Sequence, residues 1–144
     1  MPSFTNSVAN LATVGPLVEV FIGPSALFLQ AMAKSGQPVP PPVKAVGMVD
    51  TGASGTVLAP GVIAALGLKP IGMTQISTPS TTSPVAACQF NVSIAFPNSV
   101  RIGSVIALEA PLGGQHIQCL IGRDVLQLGV LTYIGYINQF TLSF

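Results

Sequence analysis

Four carboxylates are all the acidic chemistry this chain has: Glu19, Asp50, Glu109 and Asp124. Asp50 stands apart because Ala45-Val46-Gly47-Met48-Val49 precedes it and Thr51-Gly52-Ala53-Ser54-Gly55-Thr56-Val57-Leu58 follows. An ionisable group placed between apolar strands costs several kcal/mol unless hydrogen bonds compensate it. Thr51 and Gly52 supply a hydroxyl and closely approaching backbone N–H groups that can do so. Two chemistries are open to such a residue: an acceptor that merely ties a tight turn, or a carboxylate poised for proton transfer. Other reactive sets are poorly served. Ser54 lacks the glycine two positions later that a nucleophile elbow needs, and its only candidate base is His116 beside a Gly-Gly turn. One His and two widely separated Cys give no zinc spacing, and no phosphate-binding Gly-x4-Gly-Lys-Ser/Thr loop occurs. No metal and no cofactor is therefore expected.

The elements that must position Asp50 read as strands. Leu17–Ile22 is β-branched and aromatic, with Glu19 turned to solvent and Gly23-Pro24 as a breaker. Residues 26–33 fit either a strand or a helical turn, since periodicity does not separate them. The proline-rich run 35–42 is a loop. Val43–Val49 is a strand running straight into Asp50, and Thr56–Leu58 resumes as strand. Pro60–Leu68 is a short helix candidate, opened by Pro60 or Gly61 and closed near Gly67. Met73–Ser77 and Val85–Phe96 form strands around an uncharged tip, residues 78–84, suited to a projecting hairpin. Arg101–Leu108 and Ile117–Ile121 follow, then a turn or short helix after Gly122-Arg123-Asp124 and a terminal strand. The sum is a mostly β chain with one or two short helices. Residues 1–15 form an N-terminal arm and 16–144 a single domain.

Three segments in order give this chain a family resemblance: Pro16-Leu17-Val18-Glu19-Val20, then Met48 to Leu58 around Asp50-Thr51-Gly52, then Cys119-Leu120-Ile121-Gly122-Arg123-Asp124-Val125-Leu126. They resemble the retropepsins, the single-domain retroviral-type aspartic peptidases, and more closely their cellular and bacterial relatives. The resemblance implies a closed β-barrel, one half of the acid-protease fold, with a flap hairpin. It also implies an aspartic endopeptidase with Asp50 as the catalytic residue. Thr51, Gly52 and Ala53 would form the active-site loop, and Gly52, Val57, Leu120, Thr81 and Thr82 would meet substrate. Gly122, Arg123 and Asp124 would have a structural role. The chain departs from the viral pattern at Ser54, where those members often carry an Asp that pairs with the arginine, so Arg123 needs another acceptor. Its flap tip also lacks glycine.

Hydrolysis by aspartyl groups needs one carboxylate ionised and one protonated, which neighbouring carboxyls achieve by sharing a proton. The chain has a single Asp-Thr-Gly, so the second Asp50 must come from another copy across a twofold axis. A homodimer acting on an extended peptide or protein is the expected assembly, with the terminal strand near Phe140–Phe144 and the N-terminal arm in an intersubunit sheet. The alternative is a catalytically silent dimer of the same fold that binds peptide or assists assembly.

Composition agrees with this picture and excludes others. Only 6% of the 144 residues are charged and 49% are hydrophobic, too few charges to clothe a helical bundle and enough apolar surface to favour burial against a partner. A formal net charge of +1 makes no electrostatic case for nucleic acid or for an anionic membrane. The first eighteen residues lack Lys and Arg, so no signal-peptide n-region is read. The uncharged stretch 125–144 alternates like a strand rather than a membrane span. No compartment is specified, with the cytoplasm as the default. Cys88 and Cys119 read as apolar fillers, with a single bridge between them left open.

Overall fold

A computed structural model describes residues 1–77, 82–113 and 116–144. The chain begins with β1 (Ser3–Ser7), the single turn α1 (Leu11–Val14), β2 (Leu17–Pro24) and α2 (Ala26–Lys34). Next come β3 (Val43–Val49), β4 (Val57–Leu58), α3 (Pro60–Leu66), β5 (Gly72–Ile76), β6 (Val85–Ala95) and β7 (Arg101–Glu109). It ends with β8 (Cys119–Ile121), the single turn α4 (Arg123–Leu126), β9 (Val130–Ile134) and β10 (Gln139–Ser143). The expected mostly β domain is present. Among the described residues its α-helices are more numerous than the one or two expected, although two of the four are single turns.

Seven strands form one sheet in the order β2-β3-β8-β4-β7-β6-β5, and an extra pairing of β2 with β6 closes six of them into a barrel-like ring. That closure explains a difference from the sequence reading. Gly23-Pro24 does not break β2: the strand leaves β3 at Ile22 and continues along β6, with Gly23 opposite Ser93 and Pro24 opposite Val92. Alternation sends Val18, Val20 and Ile22 inward, where they join Val49, Leu58, Val92, Ile94 and Ile121 in the core. Each such side chain contributes roughly 1.5–3 kcal/mol when fully buried. Glu19 points outward, as expected, and meets Lys44 at 2.8 Å in an exposed ion pair of small energetic weight.

The segment 26–33 resolves as helix. Ser25 caps it, its Oγ accepting from the Phe28 N–H at 3.3 Å, and none of the helix's residues is buried. Capping and chain direction therefore decide where hydrophobic periodicity was silent. α3 follows its sequence signals: Pro60 opens it, Gly67 ends it at φ 63°, and Val62, Ile63 and Leu66 face the core.

A second, three-stranded sheet has the order β1-β10-β9. β1 is held by Phe4, which stacks on Phe96 at 5.4 Å and meets Phe140 edge-on at 6.2 Å. Leu11 is also fully buried. β10 has strands of its own chain on both edges, so it offers no free edge to another copy. The uncharged C-terminal stretch is thus a hairpin, and among the described residues no helix is long and apolar enough to cross a membrane. Cys88 and Cys119 are both free thiols.

Candidate active site

Asp50 sits where β3 ends. Parallel pairing of β3 with β8 places Val49 beside Ile121, and the Asp50 N–H donates to the Ile121 carbonyl at 2.9 Å. The backbone then turns sharply, with the Ala53 N–H reaching the Asp50 carbonyl at 3.2 Å. Within that turn the Gly52 N–H donates to Asp50 Oδ1 at 2.8 Å. A Cβ on residue 52 would lie 3.1 Å from the same oxygen, so glycine allows this approach. The carboxylate is half-buried, while Thr51 and Gly52 are exposed.

The loop is fastened from below by the segment after β8. The Arg123 N–H donates to the Ala53 carbonyl at 2.9 Å, and Arg123 Nη1 donates to the Thr51 carbonyl at 2.7 Å. This is the acceptor Arg123 needed once Ser54 stood in place of an acid. Asp124 has a separate task. Its Oδ1 accepts from Thr56 Oγ1 at 2.8 Å and from the Val125 N–H at 2.9 Å, and its Oδ2 accepts from the Thr56 N–H at 3.0 Å. Thr56 is fully buried, and its Oγ1 also accepts from the Gly122 N–H at 3.3 Å. With three donors on its oxygens, Asp124 is occupied in joining β4 to α4 and is not free to act beside Asp50. Gly122 lies so close to Gly55 that an added Cβ would stand 2.5 Å from the Gly55 carbonyl carbon. Thr56 was not singled out by sequence reasoning, because its partner lies 68 residues away and no local pattern announces the pair.

Above the loop runs an open groove of about 600 Å3, within the size range of ligand sites. Among the described residues Asp50 is its only ionisable lining residue; Met48, Val57, Leu108, Leu112 and Leu120 supply apolar walls, and Gly52 and Ala53 part of the floor. Val57 and Leu120 are brought side by side by antiparallel pairing of β4 with β8, and parallel pairing with β7 sets Leu108 against Val57. Ile76 and Ser77, at the end of β5, border the groove too. β5 and β6 form an antiparallel hairpin in which Ile76 faces Val85. Thr82 is exposed and does not line the groove, and Thr81 lies outside the described residues.

Burial raises the Cys119 thiol from the usual 9.0 to about 12, with a smaller push from the negative charge of Asp124. It stays protonated at neutral pH and is not a nucleophile. Among the described residues no cluster of three or more His, Cys, Asp or Glu is arranged to hold a metal.

Residues 36–125 match a protein family described as aspartyl protease. A crystal structure of a retropepsin-like aspartic protease from Rickettsia conorii superposes with a TM-score of 0.58 at 15% identity, covering 97% of this chain and 89% of that one. EIAV protease complexed with the inhibitor HBY-793 superposes with a TM-score of 0.50 at 21% identity, covering 82% of this chain and 89% of that one. At these identities the likeness is one of fold, and it extends over more of this chain for the bacterial protein than for the viral one. No curated protein sequence matches.

Proposed function

The chain belongs to the aspartyl protease family, and from that premise we propose that it is an endopeptidase whose acid pair is Asp50 and Asp50 of a second copy. The observation that carries this reading is the isolation of Asp50. Among the described residues one carboxylate, oriented by the Gly52 N–H, is the only ionisable group in a largely apolar groove, on a loop braced by Arg123. A single carboxylate cannot be base and acid at once, and Asp124 is committed elsewhere. A twofold axis beside Thr51 and Gly52 supplies the missing group, since both residues are exposed.

Two carboxyls a few ångströms apart hold one proton between them, because joint ionisation is disfavoured. The ionised member takes a proton from water as the water oxygen adds to the scissile carbonyl carbon. The protonated member hydrogen-bonds the carbonyl oxygen as negative charge develops there. Collapse of the tetrahedral intermediate breaks the C–N bond, and a carboxyl delivers the proton that the leaving nitrogen needs. The groove suits an extended peptide, with Val57 and Leu120 contacting its side chains and the Gly52 backbone its main chain. In this reading the Thr51 hydroxyl bonds across the axis and the β5–β6 hairpin acts as the flap, bringing Thr81 and Thr82 to substrate.

The test is incubation of a mixed peptide library from acidic to neutral pH with wild type and with Asp50→Asn. Cleavage by wild type and none by a dimeric Asp50→Asn protein is expected. Equal cleavage by both rules the mechanism out, and peptides bound but uncut by wild type support a silent binding module instead.

A further inference from the structure

The way the ring of strands closes leaves a seam. β7 holds one edge of β6 from Gln89 to Ala95. On the other edge β6 pairs first with β5, ending at Gln89 opposite Gly72, and then with β2, beginning at Val92 opposite Pro24. Phe90 and Asn91 fall between these two partners. The chain enters β5 through Pro70 and leaves β2 at Pro24, and neither proline has an N–H with which to continue a ladder. A cleft of about 600 Å3 opens at this seam, lined by Ser25, Pro70 and Asn91, and it shares no lining residue with the active-site groove. Its apolar walls are Phe28 and Met32 of α2, Leu66 of α3, and Leu68 and Ile71 of the connection into β5.

Close-packed interiors do not leave gaps of this size, which is that of a ligand site. α2 is apolar over most of its length yet buries none of its residues, and two side chains lining the cleft, Phe28 and Ile71, are 47% and 59% exposed. The polar side chains in the cleft share one property: each has a donor left over. Ser25 is buried, and its Oγ accepts from the Phe28 N–H, which leaves the hydroxyl proton to give. Asn91 Oδ1 accepts from the Ser104 hydroxyl at 2.8 Å, which leaves the amide NH2. The Lys69 ammonium can only donate, and among the described residues it forms no ion pair. Among the described residues none of the chain's four carboxylates lines the cleft, so its positive charge is uncompensated.

We infer that this cleft binds a single-chain carboxylate of the fatty-acid class, its chain between α2 and the Leu66–Ile71 wall and its head group on the donors. An ionised carboxylate only accepts hydrogen bonds and carries the charge opposite to Lys69, so it matches a set of donors with no acid among them. The apolar chain covers Phe28, Met32 and Ile71, which the protein's own packing leaves in water. A cationic head would face Lys69 unmatched, and a neutral alcohol would leave the charge unpaired. The site stands apart from the peptidase reading, because none of its residues touches the loop that carries Asp50.

Decanoate, held below its micelle-forming concentration, tests this in the full chain by calorimetry and by methyl NMR of Met32, Leu66 and Ile71. Saturable binding of one molecule per chain is expected, with shifts at those methyls and none at Val57 or Leu120 in the groove. Decyltrimethylammonium, with the same chain and the opposite charge, should bind several-fold more weakly. Lys69→Met keeps the apolar stem and should weaken decanoate by about fivefold, the upper end for an exposed ion pair, while leaving decan-1-ol unchanged. Met32→Trp fills the cleft and should abolish binding of both; if that variant does not fold, Lys69→Met decides alone. Unsaturable uptake, equal binding of the ammonium compound, or a Lys69→Met protein that binds decanoate like wild type overturns the proposal. Flotation with phosphatidylglycerol vesicles without decanoate binding also overturns it, in favour of a membrane-facing surface. Asp50→Asn should bind decanoate unchanged, so a chain that binds but cuts nothing removes the peptidase and keeps this site, and a cutting chain that binds no decanoate does the reverse.

Discussion

Replacing Thr56 by valine keeps its shape and removes one oxygen. That oxygen donates to Asp124 Oδ1 at 2.8 Å and accepts from the Gly122 N–H at 3.3 Å. A hydrogen bond to a charged acceptor contributes about 1.5–3 kcal/mol, and leaving a buried N–H unpaired adds about 1 kcal/mol. The Thr56 N–H still serves Asp124 Oδ2, so the carboxylate keeps two of its three donors. The expected loss is roughly 2–4 kcal/mol, which for a chain of this length lowers Tm by about 6–15 °C. Thermal unfolding followed by circular dichroism at one fixed protein concentration reads this, since dimerisation makes Tm concentration-dependent. Thr56→Ser retains the hydroxyl and should keep most of the stability. If Thr56→Val melts within about 1 °C of wild type while Thr56→Ser melts lower, the methyl matters and the hydroxyl does not. The account of the brace under Asp50 is then wrong.

Gly122→Ala should be more damaging, because its Cβ would meet the Gly55 backbone at 2.5 Å and neither chain can yield without moving the active-site loop; low soluble yield or lost cleavage is expected, and a wild-type melting profile would contradict it. Stability should fall as pH rises from 9 toward about 12, because an unfolded chain releases the Cys119 proton in that window while the folded chain holds it. The slope from this group is at most about 1.4 kcal/mol per pH unit. Urea titrations of wild type and Cys119→Ala compare the slopes; equal slopes would show that the thiol does not contribute.

Much of the site was legible because its signals are local. Asp50 between apolar strands, Gly52 beside it and the Gly122-Arg123-Asp124 segment can each be read from neighbours in sequence, and the structure joins them through β3 and β8. The Arg123 contact with the Thr51 carbonyl was not legible, since sequence offers side chains as partners and this acceptor is backbone. Thr56 escaped for another reason: its value lies in a contact with a distant residue. Gly23-Pro24 misled because a strand that changes partner tolerates what a strand in one sheet does not. The terminal hairpin was half legible. Its alternation announced strands, but which edge remains open depends on β1 folding back onto β10.

The central claim is that each active site needs Asp50 from two chains. Mixing wild type with Asp50→Asn at constant total chain, after subunit exchange, tests it without knowledge of the natural substrate. At equal amounts only about one quarter of random dimers carry two intact Asp50 residues, so cleavage should fall to about one quarter of the all-wild-type rate. A fall to only about one half would mean that each chain cuts alone, and the shared dyad would be contradicted.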